Sequence, residues 1–511
     1  MKKVVLFGLI LVLLLALGLR LYGLSRESYW NDEAFSVHHA GQKSVSEVNM
    51  FVSQTEAVPS GYYILLHYWM KLFGNSEVAT RLLSVVFGSV SVLVLFLIVQ
   101  RLFDANVALL SSFFMAISML EVLYSQEARV YILFTFLVLL SVYFFVRIYQ
   151  NRGMLWGRGK WWYLGYFVSL VLALYVNYVG LFVIFLFSLL LFFYREEAAD
   201  FSMRMWILHG FLLVCFVGLL PMLLRQFGTL NGGLTHALVS KKLPAFLASL
   251  GLVFYTLPFI FFILLGVFVF LFRERWQRWF CREEYDYMFL GLLLVFGAGY
   301  LYLCFKPLLI LGLPLVRTPI VQSYFLIRHL FFLAPLVYVY LGYRILLLRS
   351  KRWMGIAVVF LILVNVVALG VYYHSTTKPQ WREVVEEIES KSAGEPLVLL
   401  DKGGFSNEFL LTYYFHHSFS LVKLSWSEDD RVLHQVDEEK LWDTLQARGD
   451  FWLVLSKNPR TGDYYQKLLD EYFVRDYSGD FFEITLYHYV AAAGSLHSTA
   501  VDTSRKVYNT T

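Results

Sequence analysis

Two adjacent carboxylates, Asp32 and Glu33, follow the first long apolar run of the sequence. A pair of this kind provides a general base or a metal ligand, or it is simply surface charge that the dipole of a helix N-terminus stabilises. Their spacing alone does not separate these interpretations, so the surrounding sequence has to decide between them.

Two arginines lie at the ends of later apolar runs. Arg129 belongs to the run SQEARVY, which also holds Glu127. Arg328 is near a further apolar stretch. Since an arginine at a membrane segment is unfavourable unless it is paired or hydrated, each is expected to meet an anion or water. The alternatives are an ion pair of Arg129 with Glu127 or Asp32, and a snorkelling Arg328.

The composition identifies the solvent around these residues. The chain has 511 residues, of which 58% are hydrophobic and 16% charged. One water-soluble core cannot hide that much apolar surface, so lipid must cover most of it. The opening run MKKVVLFGLILVLLLALGL exceeds a signal-peptide core, and we expect it to be retained as a first span. A polytopic α-helical membrane protein follows.

Apolar runs long enough to cross about 30 Å of hydrocarbon recur along the chain. They predict about eleven transmembrane helices, at 4–20, 79–100, 106–121, 129–148, 161–178, 180–194, 206–224, 246–272, 287–305, 324–346 and 354–373. Lys and Arg gather in every second short loop, which places the amino terminus in the cytoplasm. Residues 21–78, a first loop with amphipathic helices, and everything after 374 are then extracytoplasmic.

The composition changes after the last span. Domain 1–374 is predicted to be the membrane domain, and 375–490 a small α/β domain outside the membrane. Its strand-like runs are EPLVLL, FWLVLS and FFEITLYHYV, and its helix-like runs are QWREVVEEIES, NEFLLTYYF, EEKLWDTLQA and DYYQKLLDEYF. The small, polar residues 491–511 are predicted to be a disordered tail. Asp401 to Gly404 is only a weak phosphate-loop signal.

Several motifs together resemble a known family. They are Asp32-Glu33-Ala34, the stretch from Pro59 through LHYWMKLFGNSEVATRLLS, and SQEARVY at 125–131. This chain resembles the dolichyl-phosphate-mannose protein mannosyltransferase and aminoarabinose transferase superfamily, glycosyltransferase family 39-like, of bacterial type. Residues 1–225 carry most of the resemblance, and KPQWR, beginning at Lys378, is similar to the outer domains of bacterial relatives.

The resemblance implies a GT-C membrane fold and an inverting glycosyltransferase. A hexose, mannose-like by family default, would pass from a polyprenyl-phosphate-linked donor to an acceptor hydroxyl of a protein, lipid or glycan on the outer face of the cell membrane. A phosphate monoester leaves without protonation, so one base suffices. Asp32 would be that base, and Glu33 would hold the acceptor or a neighbouring cation.

The developing phosphate charge would be met by Arg129 and Arg328. Tyr131 and Tyr324 are candidates for contact with phosphate or isoprenoid, although tyrosine favours membrane interfaces in any case. The other candidate site residues are Glu56, Glu127, Tyr62 and Asn177.

The sequence departs from the family pattern in two places. Many relatives follow the acid with a His-Pro-Pro or Lys-Pro-Pro, but here Glu56 is followed by Ala57-Val58-Pro59. A divalent metal site would therefore need another ligand, such as His236, and no metal is assigned. Asn177 replaces a frequent histidine and would change donor recognition or bridge helices. His38 and His39 are expected on a solvated interfacial face.

Other classes of protein are less consistent with the sequence. Basic residues are spread among loops, which argues against nucleic acid despite the net charge of +5. The three cysteines show no ligand or disulfide spacing. The remaining alternatives are a GT-C oligosaccharide ligase or polymerase using a lipid diphosphate, a transporter, and a non-catalytic assembly subunit.

Overall fold

The computed structural model divides the chain into two compact units. One unit comprises Met1–Leu24 and Ser36–Ser375, and the other comprises Ser25–Phe35 and Thr376–Thr511. The structure describes residues 3–151, 159–193, 199–226, 328, 331–400, 405–424, 438–456 and 462–491.

The first unit is helical. Its elements are α1 (Lys3–Leu21), the end of α2 (Asn31–Ala40), α3 (Val45–Thr55), α4 (Gly61–Phe73), α5 (Glu77–Leu102), α6 (Ala105–Ile117), α7 (Met119–Ser125), α8 (Val130–Gln150), α9 (Gly159–Val176), α10 (Gly180–Phe193), α11 (Ala199–Val217), Leu220–Gln226, a 3-10 turn at Phe331–Leu333, and the helices Ala334–Leu346 and Lys351–His374. A mainly apolar core packs between these helices.

Four of these helices are long and apolar enough to cross a membrane: α1, α5, α8 and Lys351–His374. Two bent pairs, α6 with α7 at 59° and Phe201–Val217 with Leu220–Gln226 at 50°, raise the number to six within the described residues if each pair is one span. At 1.5 Å per residue, a 20-residue helix extends about 30 Å. The prediction of a polytopic helical membrane protein is confirmed.

The predicted spans differ from the helices in detail. The predicted span 106–121 is broken, because the helix ends at Ile117 and a second helix begins at Met119. The predicted spans 161–178 and 180–194 correspond to two helices, α9 and α10, with the break at Asn177. The predicted spans 246–272 and 287–305 lie outside the described residues, so the count of eleven stays a prediction.

The bend between α6 and α7 is held from α1. Arg20 is fully buried, and its guanidinium donates to the carbonyl of Ala116 at 3.2 Å and to Ser125 Oγ at 3.1 Å. These two acceptors lie on opposite sides of the break. Gln126 Nε2 then donates to the carbonyl of Arg20 at 2.9 Å. The start of the SQEARVY segment is therefore fixed by the end of the first helix.

One glycine shows how closely α4 approaches the end of α9. A Cβ atom on Gly61 would overlap the carbonyl oxygen of Tyr175 and lie 2.9 Å from the carbonyl carbon of that residue. We expect Gly61→Ala to lower the free energy of unfolding by about 1–3 kcal/mol, because the backbone must move to admit the methyl group. The apparent melting temperature in detergent measures this. Gly355→Ala, where the added Cβ meets nothing within 4 Å among the described residues, is the matched control. Equal melting of both variants would contradict the close approach.

The second unit contains a five-stranded sheet of order β2-β1-β3-β5-β4. The strands are β1 (Leu397–Leu400), β2 (Ser420–Lys423), β3 (Asp450–Ser456), β4 (Phe473–Phe481) and β5 (Ile484–Ala491). The first three are parallel, while β5 is antiparallel to both β3 and β4. Its helices are Trp381–Lys391, Phe405–Tyr414, Glu438–Arg448 and Gly462–Asp470. The predicted α/β domain is confirmed.

The sequence missed two strands. The strand β2 is short and only partly buried, so it has no apolar run. Most residues of the strand β4 are exposed or partly buried, and it carries Asp476 and Asp480. Its sequence therefore lacks the apolar pattern by which a strand is recognised. The predicted helix DYYQKLLDEYF ends at Asp470, and Phe473 already begins β4. Asp401 to Gly404 and the tail 492–511 lie outside the described residues.

Candidate functional site

Arg129 is the residue before α8, where the chain is extended. The preceding loop is held by its backbone: the amide of Arg129 donates to the carbonyl of Glu127 at 2.9 Å, and Ser84 Oγ on α5 donates to the same carbonyl at 2.7 Å. The loop therefore delivers the guanidinium to the N-terminal end of α8, where the helix dipole favours negative charge.

The Arg129 guanidinium is buried among polar partners. Its Nη1 donates to Glu56 Oε1 at 3.1 Å, to Ser36 Oγ at 3.2 Å and to the hydroxyl of Tyr63 at 3.4 Å. The side chains of Arg129 and Glu56 are only 9% and 12% exposed. A charge-assisted pair in this setting is stronger than a surface ion pair. Arg129 therefore forms a buried ion pair with Glu56, from the turn between α3 and α4.

The pair of Arg129 and Glu56 involves the acid at which this sequence departs from the family pattern. The sequence has no basic residue directly after this acid. In the structure the cation comes from Arg129, 73 positions further along the chain. The acid and the cation are therefore brought together by folding rather than by their spacing in the sequence.

Tyr63 completes this cluster. Burial raises the pKa of the Tyr63 hydroxyl well above its ordinary value, and the Glu56 carboxylate raises it further, while Arg129 lowers it. The hydroxyl is therefore protonated at physiological pH and serves as a neutral hydrogen-bonding group. Its neighbour Tyr62 is fully buried, with ring centroids of the two tyrosines 5.6 Å apart.

The turn that carries Glu56 is clamped from a distant part of the chain. Gln226 Nε2 donates to the carbonyl of Val58 at 2.9 Å and to that of Val52 at 3.4 Å. Its Oε1 accepts from the hydroxyl of Tyr178 at 2.7 Å. Gln226 is 3% exposed, so these hydrogen bonds have no ready replacement in water. The clamp ties the last turn of α3 to the middle of the connection before α4.

We expect Gln226→Leu to weaken donor binding about tenfold, because the turn loses buried hydrogen bonds worth about 1–3 kcal/mol and Glu56 no longer holds Arg129 in place. Binding of a polyprenyl phosphate to purified protein measures the effect. Gln150→Leu is the matched control, since Gln150 also donates to a carbonyl, that of Arg101, but in an exposed position. Unchanged binding in Gln226→Leu would show that the clamp does not support the cluster.

Arg328 is the second predicted phosphate ligand. Its guanidinium carbon lies 5.9 Å from the ring centroid of Tyr131, in the first turn of α8. Both predicted arginines are therefore found at the N-terminal end of one helix. Glu127 is buried in the same loop, and Tyr324 lies outside the described residues.

Asp32 and Glu33 occupy the first turn of α2. Asp32 is half-buried, whereas Glu33 is fully buried. Glu33 Oε2 forms a salt bridge of 2.9 Å with Lys378 Nζ, whose side chain is 6% exposed. Ser36, a partner of Arg129, follows Asp32 by four residues in the same helix.

The histidines next along α2 differ from the prediction. His39 is 1% exposed, and its Nε2 is hydrogen-bonded to Thr55 Oγ1 at 2.5 Å. Burial and the neighbouring His39 lower the pKa of His38 to about 4. The expected solvated face is therefore wrong for His39, because α2 packs this side against α3.

Asn177 has a local role in the structure. Its Oδ1 accepts from the amide of Val179 at 3.1 Å, in the turn that separates α9 from α10. The side chain is 3% exposed. The residue therefore shapes the turn that carries Tyr178, the partner of Gln226.

A divalent metal does not fit the described residues. Within the described part of the chain, no three His, Cys, Asp or Glu side chains come together as ligands. Glu56 already faces a guanidinium, which would repel a metal ion. His236 lies outside the described residues.

The residues that sequence reasoning missed are Ser36, Tyr63, Gln226 and Lys378. Tyr63 and Lys378 belong to motifs that carried the family resemblance, but nothing in those motifs indicates their partners. Ser36 is detectable only as the residue one helical turn after Asp32. Gln226 has no sequence signal, because a glutamine at the end of an apolar run is unremarkable until its acceptors are known.

Comparison with known proteins bears on the same segment. Residues 57–224 match the family model described as dolichyl-phosphate-mannose-protein mannosyltransferase, a range that contains Tyr63 and Arg129 but not Asp32, Glu56 or Arg328. The predicted superfamily resemblance is confirmed. No curated protein sequence matches the chain.

The similar solved structures include ArnT in two states and AglB. ArnT from Cupriavidus metallidurans in the apo state has a TM-score of 0.46 and 14% identity, over 94% of this chain and 97% of that one. ArnT bound to undecaprenyl phosphate has a TM-score of 0.46 and 14% identity, over 96% and 99%. The archaeal oligosaccharyltransferase AglB from Archaeoglobus fulgidus, in complex with an inhibitory peptide and a dolichol-phosphate, has a TM-score of 0.48 and 12% identity, over 96% and 74%.

Proposed function

We propose that this chain, whose residues 57–224 match the dolichyl-phosphate-mannose-protein mannosyltransferase family, moves a sugar from a polyprenyl-phosphate donor to an acceptor hydroxyl. The observation that carries the proposal is the buried Arg129, paired with Glu56 at the N-terminal end of α8. A family match alone would give the reaction class. The cluster supports a donor-phosphate site at this end of the helix.

The arrangement suits a lipid phosphate for three reasons. Arg129 and Arg328 supply positive charge beside the first turn of α8. The amides of that turn and the helix dipole add to it. Glu56 and Tyr63 hold Arg129 in one geometry before the donor arrives, so little reorganisation is needed as phosphate charge develops.

The chemistry then needs one base. As the bond between the anomeric carbon and the phosphate oxygen breaks, the electron pair stays on the phosphate, which leaves as an anion without a proton. The acceptor hydroxyl attacks from the opposite face, and its proton passes to Asp32. One displacement of this kind inverts the anomeric carbon. Tyr131 and Tyr324 are proposed to contact the phosphate or the first isoprene units.

The donor sugar is proposed to be a hexose of mannose type, following the family. The acceptor would be a protein, lipid or glycan hydroxyl. Charge alternation in the loops supports a cytoplasmic amino terminus, with the α/β domain and the site on the extracytoplasmic side of the cell membrane.

The non-catalytic alternative rested on the missing cation beside Glu56. The Arg129 guanidinium lies beside Glu56, and this buried pair supports the catalytic proposal over that alternative. A ligase that uses a lipid diphosphate would need the same cations. The donor assay below therefore has to distinguish the two.

The experiment is transfer of radiolabelled sugar by the purified protein in lipid. Polyprenyl-phosphate hexoses and the matching diphosphate-linked sugars are supplied separately with a membrane extract as acceptor. We expect label to move from the monophosphate donor alone. Transfer from the diphosphate donor only, or no transfer from either, would overturn the proposal.

A further inference from the structure

The stretch that carries Asp32 belongs to the second compact unit. Ser25–Phe35 groups with Thr376–Thr511 rather than with the neighbouring helices in sequence. The linker that follows the last apolar helix, Thr376 to Arg382, provides most of the partners of this stretch. The contacts between them are polar and numerous.

The first group of contacts fixes the chain before α2. The Glu27 carboxylate accepts hydrogen bonds from the amide and the hydroxyl of Thr377. Ser28 Oγ donates to the carbonyl of Pro379 at 2.6 Å and accepts from the amide of Trp381 at 3.2 Å. These side chains form hydrogen bonds with backbone groups that would otherwise have to bind water.

The first residue and an inner residue of the stretch are held in the same way. Arg382 Nη1 donates to the carbonyl of Ser25 at 3.1 Å. The amide of Tyr29 donates to the hydroxyl of Tyr414 at 2.7 Å, and the ring of Tyr29 meets that of Tyr413 at 5.2 Å. The helix Phe405–Tyr414 therefore joins the linker in holding this segment.

The last contact reaches the helix itself. Glu33, next to Asp32, has a side chain that is 0% exposed and bound to Lys378 Nζ at 2.9 Å. A surface ion pair contributes little, but removing one partner of a buried pair leaves an uncompensated charge. The carboxylate of Glu33 is therefore committed to the outer domain.

We propose that Lys378 is a positioning residue, which acts through Glu33 to fix the first turn of α2 and the orientation of Asp32. The α/β domain then helps to hold the proposed base in position, rather than forming a separate cap. The inference rests on the proposed role of Asp32. Its physical basis is that a misplacement of about 1 Å in a reacting group reduces the rate on the order of 100-fold.

The test compares variants of the full-length protein in lipid. We expect Lys378→Met to lower kcat about 10- to 100-fold with KM for the donor changed less than about threefold. Lys378→Arg keeps the charge and should recover part of kcat. The double variant Glu33→Gln with Lys378→Gln should lose no more than the worse single variant, because the two residues act as a unit.

Lys391→Met is the matched control. Lys391 also pairs with a glutamate of the same domain, Glu387 at 3.2 Å, but its side chain is 43% exposed. We expect its kcat to stay within about twofold of wild type, as for most exposed ion pairs.

Hydrogen exchange of peptides covering residues 25–35 gives a readout besides activity. Faster exchange there in Lys378→Met, with a reduced kcat, supports the inference even if KM and melting are unchanged. An active wild type with unchanged kcat in Lys378→Met overturns the inference alone. An inactive wild type overturns the proposed function, and with it the catalytic part of the inference.

Discussion

Replacing Asp32 by asparagine is expected to reduce sugar transfer by about 10²–10⁴-fold, the usual contribution of a general base. The amide has nearly the same shape as the carboxylate but cannot take the acceptor proton. Donor binding should change less than about threefold, because the proposed phosphate ligands, Arg129 and Arg328, are unchanged in this variant. Initial rates and equilibrium binding of a polyprenyl phosphate measure the two effects separately.

Asp104→Asn is the matched control for this substitution. Asp104 caps α6 by accepting from the amides of Asn106 and Val107 at 2.7 and 3.0 Å, and asparagine is an equally good capping residue. Its transfer rate should equal that of wild type. An Asp32→Asn variant that keeps half or more of the wild-type rate would exclude Asp32 as the base.

Replacing Arg129 is expected to have the second largest effect, on binding as well as rate. Arg129→Met should lower kcat/KM by about 10²–10³-fold, because the developing phosphate charge loses a preorganised donor and Glu56 is left without its cation. Arg129→Lys should recover only part of this loss, since lysine does not reproduce the planar fork. Donor affinity and single-turnover rates separate the two contributions.

Arg147→Met provides the comparison on the same helix. Arg147 lies in the last turn of α8, where it packs over the ring of Trp162 at 4.2 Å. Its removal should leave donor affinity unchanged. Equal losses of affinity at Arg129 and Arg147 would mean that the arginines act on folding, and the phosphate site would have to be placed elsewhere.

The sequence predicts the membrane class well, because that class depends on local signals. Apolar runs of sufficient length report helices such as α1 and α5 directly. The break at Ser118 is not visible in the same way, since the apolar run continues through it and the bend is fixed by Arg20 from another helix.

The partners of the site residues, in contrast, have no local signal in the sequence. The sequence context of Arg129 suggests Glu127 or Asp32 as an acid partner, whereas its salt bridge with Glu56 has no local sequence signal. Glu33 and Lys378 are 345 residues apart, and no local pattern connects them. Such pairings are set by how helices pack, so they become visible only when the whole chain is folded.

The direct test of the proposed function is the identity of the lipid that remains after transfer. Purified protein is incubated with a polyprenyl-phosphate hexose and acceptor, and the lipid product is identified by mass spectrometry. We predict free polyprenyl monophosphate in an amount equal to the sugar transferred, and none of it from the Asp32→Asn variant. Sugar transfer without any release of polyprenyl phosphate would contradict the account. So would a polyprenyl diphosphate as the only lipid product when monophosphate- and diphosphate-linked donors are supplied together.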